Sequence, residues 1–335
     1  MGLAIADVVA AAPFYRDLAA DEIAELAAGL ELQRFAPGEA LMVQGAVSDG
    51  AYSIVSGAVA VATRLPGGGE AALAELGPGD LVGEMALLMR GGKRTATARA
   101  LTAVEALFTD RRYLDAALHQ LRPASLKVLR RLGLTIADRL RAIRVRGRAL
   151  VEASPGEVQF RALPKVQAQT RAPFDVRAFL PILPCLGDFA AEEIDALLAI
   201  ARVEHVGRGA HLAHEGQAIE DPRLVVRGAL LLGQRHGEHV HQLDILGPGR
   251  FAGVAPVLEG APAAAELIAA EESTLLAFDA ARFVAIWNGG DRMALRLLEA
   301  VNADLVLSLN TASNHLTRLT AQARVRALEG GTTFG

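Results

Sequence analysis

The chain has 335 residues, of which 52% are hydrophobic and 21% are charged. This length predicts about two domains, and the apolar content suffices for real cores, which excludes a mainly disordered chain. A formal net charge of −4 argues against a protein that coats nucleic acid by bulk electrostatics. The single cysteine, Cys185, excludes a disulfide framework and a four-cysteine zinc site.

The sequence also carries expectations about location and source. No apolar stretch is long and charge-free enough for a transmembrane helix, and Asp7 interrupts the region where a signal peptide would be apolar. We therefore expect a cytoplasmic protein. Arginine outnumbers lysine by 31 to 3, which is typical of a GC-rich bacterial genome.

The first half of the chain begins with a short helix, predicted from Ala20 to Leu30, with acidic residues in its first turn. Short segments punctuated by glycine then predict β-strands. They are 41–43, 52–55, 58–62 and 103–108, with a hairpin turn at 66–69. Apolar residues three or four apart predict a long helix from Pro123 to about Arg146. Many short strands of this kind are typical of a sandwich or roll, not of a parallel sheet.

The second half of the chain repeats the first at a shift of 171 residues, which becomes 170 after a hairpin. Matched positions include Asp17 with Asp188, Gly38 with Gly209, Gly45 with Gly216, Gly57 with Gly228 and Gly83 with Gly253. We predict a tandem duplication with units at 10–147 and 178–325, joined by a linker at 148–177. The predicted fold class is α+β: two tandem antiparallel β-rolls of jelly-roll type with flanking helices.

A glycine-led turn in the first unit carries candidate ligand-binding chemistry. Gly83 and Glu84 open the segment 83–88, and Arg94 follows on the next strand. Backbone N–H groups at the start of a helical turn form a nest that suits an anion. The planar fork of Arg94 suits a phosphate, and Glu84 is an acceptor for a sugar hydroxyl. Together they suit a ribose phosphate with one negative charge.

This segment resembles the phosphate-binding cassette of the cyclic nucleotide-binding domain family, which includes catabolite activator proteins and the regulatory subunits of cyclic-AMP-dependent protein kinase. Gly45, Asp49, Tyr52, Ile54 and Gly57 match the family's other signature, and Gly77-Pro78-Gly79-Asp80 matches its turn into the cassette. The resemblance implies that the glutamate binds the ribose 2′-hydroxyl and the arginine the cyclic phosphate. The implied ligand-binding residues are Gly83, Glu84, Met85, Ala86, Leu87, Arg94, Thr95 and Ala96.

Two questions stay open at this site. The backbone of Ala86 and Leu87 is expected to face the phosphate, while Thr95 resembles a hydroxyl position that leaves cAMP and cGMP both possible. Glu84 and Arg94 could instead form an ordinary salt bridge between turn residues, with no ligand bound.

The second unit departs from the cassette pattern. Val254 takes the place of Glu84, and at a shift of 170 Arg94 falls on Ala264 and Thr95 on Ala265. Glu266 is expected to put negative charge where a phosphate should lie. We therefore predict a degenerate unit that binds no nucleotide and serves packing or partner contact, against the alternative of a changed ligand.

Seven of the eight histidines lie in the second half of the chain. They include two groups, His205, His211 and His214, then His236, His239 and His241. His239 and His241 would share one face of a strand, a spacing that can bind zinc or nickel. Without a cysteine or a paired carboxylate beside them, we interpret them as a polar hairpin face and expect no metal site.

The segment 122–148 carries nine basic residues against Asp138 alone. It could be a surface for nucleic acid, lipid or an acidic partner, but a solvated outer helix face is favoured. The catabolite activators add a helix-turn-helix of about sixty residues after such a helix. Here only about thirty residues follow Asn302, so a transcription factor is disfavoured.

We therefore predict a cytoplasmic regulatory protein that senses a cyclic mononucleotide, cAMP or cGMP, in its first unit and shifts the helix from Pro123 and the second unit. No catalytic triad, Walker loop or kinase signature is present, so we expect no enzyme and no cofactor beyond this ligand. A protein partner or a homo-oligomer is expected, with no nucleic acid and no membrane insertion. The alternative is a structural or assembly protein whose units need no ligand.

Overall fold

The computed structural model describes residues 4–47, 49–64, 69–88, 93–153, 160–166 and 174–329. The backbone divides into two compact units. Unit 1 is Met1–Leu132 with Gly290–Leu295, and unit 2 is Gly133–Gly289 with Arg296–Gly335. The predicted hairpin turn at 66–69 lies almost entirely outside the described residues.

Unit 1 combines short helices with antiparallel strands. Its described elements are α1 (Ile5–Ala11), α2 (Ala20–Ala27), β1 (Leu30–Phe35), β2 (Ala40–Met42), β3 (Gly50–Ser56), β4 (Val59–Arg64), β5 (Glu70–Leu76), β6 (Leu81–Val82), α3 (Met85–Leu88), β7 (Thr97–Ala100), β8 (Val104–Asp110), α4 (Arg111–His119) and the start of α5 (Pro123–Ala153). The strands form two sheets, in the orders β1-β8-β3-β6 and β2-β7-β4-β5.

The core of unit 1 lies between these two sheets. Ile54, Val59, Ala98 and Ala106 have no exposed surface and pack in one cluster to which both sheets contribute. Removing apolar surface from water stabilises such a roll, at about 25 cal/mol per Å². Because β3 and β7 are fixed by this core, the residues that precede them are held at defined positions.

Unit 2 repeats this arrangement. Its described elements are the rest of α5, β9 (Phe160–Ala162), α6 (Val176–Phe179), α7 (Ala191–Ala199), β10 (Ala201–Val206), β11 (His211–Ala213), β12 (Arg223–Arg227), β13 (Leu230–His236), β14 (His239–Leu246), β15 (Phe251–Ala252), α8 (Val254–Glu259), β16 (Glu266–Ala269), β17 (Ser273–Phe278), α9 (Ala280–Trp287) and most of α10 (Arg292–Glu329). The sheet orders are β10-β17-β12-β15 and β11-β16-β13-β14-β9. Two tandem α+β units with antiparallel sheets agree with the predicted fold class.

The strand register corrects the predicted alignment beyond the cassette. β2 pairs with β7 at Ala40↔Arg99, whereas β11 pairs with β16 at His211↔Ile268. β2 and β11 thus correspond at a shift of 171 residues, whereas β7 and β16 correspond at a shift of 169. The predicted shift of 170 is wrong by one residue in this segment, because unit 2 has a shorter connection into β16.

Backbone hydrogen bonds establish the same correspondence at the site. The N–H of Gly45 donates to the carbonyl of Arg94 at 2.9 Å, and the N–H of Gly216 donates to that of Ala263 at 2.8 Å. Arg94 therefore corresponds to Ala263 and Thr95 to Ala264, one residue before the predicted positions. By the same register, Glu266 corresponds to Thr97.

The long helix α5 starts at Pro123 as predicted but continues to Ala153. Gly147 does not end it, and buried Val151 extends its apolar face. Residues 148–153 of the expected linker are therefore helical. Residues 160–162 form β9, which pairs with β14, while 154–159 and 167–173 lie outside the described residues.

Candidate functional site

Arg94 is the centre of the candidate site in unit 1. It precedes β7, and its side chain is only 5% exposed. One terminal nitrogen, Nη1, donates to the carbonyl of Gly50 at 2.7 Å and to that of Gly83 at 3.3 Å. The other, Nη2, donates to Oδ1 of Asp49 at 3.0 Å. The start of β3 and the cassette glycine thus fix the guanidinium in one orientation.

Gly83 is required by this close approach. Its φ is +78°, a left-handed conformation that favours glycine. A Cβ added there would lie 2.3 Å from Nη1 of Arg94. The cassette backbone can therefore rest against the guanidinium only with glycine at this position.

Glu84 is buried directly after this glycine, with 5% of its surface exposed. The N–H of Ala86 donates to the carbonyl of Gly83 at 3.0 Å, and that of Leu87 to the carbonyl of Glu84 at 2.9 Å. The two N–H groups expected to face a phosphate therefore close the first turn of α3 in this structure. Their contact with a ligand stays a prediction.

The remaining predicted residues differ in exposure. Met85 is partly exposed and Thr95 is exposed, whereas Ala86, Leu87 and Ala96 are buried. The carbonyl of Thr95 accepts a long hydrogen bond of 3.5 Å from the hydroxyl of Thr63 on β4. The structure thus brings Gly83 and Arg94 into direct contact, with Glu84 next to Gly83 in the chain.

Arg111 joins the site, although nothing in the sequence singled it out. Its Nη1 donates to the carbonyl of Ala86 at 2.6 Å, and its N–H donates to the carbonyl of Asp49 at 2.9 Å. It therefore ties the start of α4 to both α3 and the loop before β3. No motif could predict this, since Arg111 follows the helix cap Asp110 and its partners lie far away in sequence.

The electrostatics of the site are set by one buried cation. Asp49, the ion-pair partner of Arg94, is 69% exposed at its side chain. Burial raises the pKa of nearby Tyr52, and the charge of Arg94 opposes that rise. A buried guanidinium held by neutral carbonyls and one exposed carboxylate can exchange that carboxylate for another anion, because the released carboxylate is hydrated and the incoming anion keeps the guanidinium paired.

At the corresponding position, the described part of unit 2 has no such cation. Gly253 repeats the left-handed conformation with φ +77°, but a Cβ there would lie 2.9 Å from Cγ2 of Ile219. An isoleucine thus packs against this cassette glycine. Val254 is buried where unit 1 has Glu84, and buried Ala263 stands where it has Arg94.

Glu266 does not lie where a cassette phosphate would be expected. Its Oε1 accepts from the N–H of Glu215 at 3.2 Å, as Oγ1 of Thr97 accepts from the N–H of Gln44 at 3.0 Å in unit 1. The expectation that Glu266 repels a phosphate is thereby corrected. The one-residue register shift places it at the position of Thr97 instead.

The predicted histidine pair does not converge. His239 is exposed, whereas His241 is buried with its Nε2 2.8 Å from Nε2 of His315 on α10. The two therefore have different surroundings despite their shared strand face. A different histidine group lies near Glu266 and is described below.

The basic segment of α5 is largely engaged within each unit. In unit 1, Lys127 contacts Glu22 at 2.7 Å and Arg122 contacts Glu25 at 3.1 Å. In unit 2, Arg141 pairs with Glu259, and Arg148 pairs with Glu152 and Glu215. These ion pairs favour the interpretation of a helix face over that of a nucleic-acid surface. Among the described residues, no helix is both long and apolar enough to cross a membrane.

Comparison with known proteins places this geometry in a family. The model of the cyclic nucleotide-binding domain matches residues 32–120 and 203–288, just over half of the chain. The CRP-like cAMP-activated global transcriptional regulator of Mycobacterium tuberculosis is 32% identical over 105 residues, 31% of this chain and 46% of that protein. The cyclic AMP receptor protein of Thermus thermophilus is 38% identical over 96 residues, 28% of this chain and 44% of that protein.

The chain thus spans less than half the length of these curated relatives. Among solved structures, the regulatory domain of Toxoplasma gondii PKA with cAMP is 17% identical, covering 84% of this chain and 90% of that one with a TM-score of 0.31. The family model matches one region in each unit, and in unit 1 that region contains the whole Gly83–Arg94 arrangement. The chain therefore belongs to the cyclic nucleotide-binding domain family.

Proposed function

We propose that unit 1 binds one cyclic mononucleotide, cAMP or cGMP, and that the chain is a regulatory protein without catalytic activity of its own. The observation that carries this proposal is the buried guanidinium of Arg94, held against Gly83 by the carbonyls of Gly50 and Gly83. Its fixed orientation suits a cyclic phosphate. Gly83, Glu84, Met85, Ala86, Leu87, Thr95 and Ala96 complete the proposed site.

Binding proceeds by exchange of anions at Arg94. The carboxylate of Asp49 is exposed, so it is hydrated when the ligand displaces it from Arg94. The phosphate of the ligand then takes charge-assisted hydrogen bonds from the guanidinium. The buried carboxylate of Glu84 accepts a hydrogen bond from the ribose 2′-hydroxyl.

Adenine and guanine are both compatible with the residues of the site. Thr95 is exposed and offers its hydroxyl to either base. The names of the two bacterial relatives refer to cAMP, which makes cAMP the first ligand to test.

The regulatory output is proposed to pass through α5. This helix begins in unit 1 and continues into unit 2. A ligand that favours one position of the start of α5 shifts the population of conformations of the whole chain. A protein partner or a second copy of the chain would read that change.

A second candidate function is structural or protein-binding, without any ligand. The observation that favours it is unit 2, where the same fold exists with Ile219 against the cassette glycine and Ala263 in place of the arginine. If purified protein carries bound nucleotide, the absorbance of the nucleotide near 260 nm reveals it. That observation would exclude this candidate function. Unit 2 itself is proposed to bind no nucleotide.

The site is tested by replacing Arg94 and measuring nucleotide affinity by calorimetry. Charge-assisted hydrogen bonds are worth about 1.5–3 kcal/mol each, so Arg94→Ala should weaken binding by about one to two orders of magnitude at the least. Arg94→Lys should recover part of the loss, because an ammonium lacks the planar fork.

Arg99→Ala is the matched control, because Arg99 lies on β7, the strand that directly follows Arg94, and is exposed. It should bind nucleotide as the unmodified chain does. Thermal unfolding of each variant establishes that it is folded. A folded Arg94→Ala protein with unchanged nucleotide affinity would contradict the site.

A further inference from the structure

Three side chains with metal-ligating atoms meet in unit 2, away from the proposed nucleotide site. His211 begins β11, His214 follows that strand, and Glu266 begins β16. Nδ1 of His211 lies 3.3 Å from Oε2 of Glu266, and Nδ1 of His214 lies 3.0 Å from the same oxygen. The three ligand atoms all lie within 4.8 Å of one another.

The strands hold these residues in place. β11 pairs with β16, and a register shift between His211 and Ala213 marks an irregularity in the pairing. The two imidazole rings lie 24° from parallel, with centroids 5.0 Å apart. The arrangement is therefore built by main-chain pairing and does not depend on long, mobile side chains.

The carboxylate of Glu266 is oriented by a second partner. Its Oε1 accepts from the N–H of Glu215 at 3.2 Å, which leaves Oε2 directed at both imidazoles. Hydrogen bonds of this kind orient ligands and are a regular part of metal sites. The Glu266 carboxylate is well shielded, with its side chain 5% exposed, whereas the side chains of His211 and His214 are 27% and 44% exposed.

The charge of Glu266 calls for compensation. A buried carboxylate is costly unless it is paired with a cation or coordinates a metal. Within the described part of the chain, the ion-pair partners of Glu266 are His211 and His214, and neither is a fixed charge. Arg148, which lies nearby, is engaged by Glu152 and Glu215.

We propose that His211, His214 and Glu266 bind a divalent transition-metal ion, with Zn²⁺ as the preferred occupant. Imidazole and carboxylate are ligands that zinc accepts, at bond lengths of about 2.0–2.2 Å. Ligand atoms around a tetrahedral ion with such bonds lie roughly 3.3–3.5 Å apart, close to the separations of Oε2 from the two imidazole nitrogens.

Three protein ligands leave one coordination position for water or another molecule. Glu266 also lines an open cleft of about 640 Å³, together with Arg148, Glu215, Arg235 and Glu238. The fourth position can therefore be reached from solvent.

Unit 1 provides an internal comparison. By strand register, Ala40, Val43 and Thr97 stand where unit 2 has His211, His214 and Glu266. The backbone is arranged in the same way in both units. In unit 1 the N–H of Gln44 donates to Oγ1 of Thr97, and in unit 2 the N–H of Glu215 donates to Oε1 of Glu266. The metal-ligating side chains are thus confined to the unit that lacks the arginine of the cassette.

The test uses the full chain without a polyhistidine tag, freed of metal by a chelator and titrated with ZnCl₂ by calorimetry. We expect one Zn²⁺ per chain. His214→Ala and Glu266→Gln should each weaken Zn²⁺ binding by at least about tenfold. Glu266→Gln keeps an oxygen that can accept the N–H of Glu215, so this variant tests ligation with little change in packing.

His239→Ala is the matched control, because His239 is exposed on β14 and lies outside the cluster. It should bind Zn²⁺ with unchanged affinity. Titration with Co²⁺ should give the visible bands of a four-coordinate ion in the unmodified chain and lose them in Glu266→Gln.

Two results would overturn the proposal. One is a chain that takes up no Zn²⁺ at micromolar concentration, which would mean that Glu266 is accommodated without a metal ion. The other is Zn²⁺ binding that persists unchanged in folded His214→Ala and Glu266→Gln proteins.

Discussion

At the scale of single residues, the cassettes of the two units differ in a buried cation, Arg94, and in a buried carboxylate, Glu84. Arg94 occupies in unit 1 the position that Ala263 occupies in unit 2. The motif from Gly83 to Arg94 could be predicted from the sequence, because its members lie within twelve residues. The partners Asp49 and Gly50 are more than forty residues from Arg94, so only the folded chain shows that they orient its guanidinium.

Replacing Gly83 with alanine tests whether the position of the Arg94 guanidinium depends on a glycine there. Gly83→Ala should lower stability by about 1–2 kcal/mol through its positive φ alone. It should also weaken nucleotide binding, because the new Cβ would lie 2.3 Å from Nη1 of Arg94 and force the guanidinium to move. Chemical denaturation and calorimetry measure the two effects.

Gly253→Ala is the matched control for this prediction. It has the same left-handed φ, but its Cβ would meet Ile219. It should destabilise the chain by a similar amount and leave nucleotide affinity unchanged. Equal losses of affinity in both variants would show that the effect of Gly83→Ala is a general effect on folding.

At the scale of elements, four of the eight described strands of unit 1, β2, β3, β4 and β8, could be predicted from short apolar runs between glycines. The one-residue register shift could not. The connection into β16 contains Ala263, Ala264 and Ala265 in succession. Because the three residues are identical, a sequence alignment cannot tell which of them corresponds to Arg94. The hydrogen bond from Gly216 to Ala263 resolves it.

Two glycines of α5 should respond oppositely to alanine. A Cβ at Gly133 would lie 2.1 Å from Oδ1 of buried Asn302 and 3.2 Å from the Trp287 ring, so Gly133→Ala should destabilise by about 1–3 kcal/mol. At Gly147 a Cβ meets nothing within 4 Å, so Gly147→Ala should stabilise by about 1 kcal/mol through helix propensity. Denaturant unfolding measures both, and stabilisation by Gly133→Ala would contradict this packing.

The His241–His315 contact predicts a pH dependence of stability. Burial lowers the pKa of His315 to about 4, and His241 and Arg318 add to the shift. In the unfolded chain the pKa of this residue is about 6.5. Between about pH 4 and pH 6.5 the unfolded chain therefore binds more protons at His315 than the folded chain does. Stability should fall as pH decreases through this range.

His315→Gln should reduce that slope when unfolding is measured from pH 7 to pH 4. His239→Gln is the control, because His239 is exposed. The same slope in His315→Gln as in the unmodified chain would show that His315 does not titrate differently on folding.

At the scale of the whole molecule, the tandem organisation could be predicted because glycines at turns repeat in register. The extension of α5 to Ala153 and the strand β9 could not, because proline and glycine in 148–177 are typical of a linker. β9 exists because its backbone pairs with the edge of β14, an interaction that leaves no periodic pattern in so short a segment.

The central claim is that one unit of two binds a cyclic mononucleotide through Arg94. Calorimetric titration of the full chain with cAMP, and separately with cGMP, tests it most directly. We expect saturation at one nucleotide per chain. We also expect a stabilisation of about 2.7 kcal/mol at a ligand concentration 100 times the Kd, seen as a rise in Tm. Two nucleotides per chain, or no binding of either nucleotide at millimolar concentration, would contradict it.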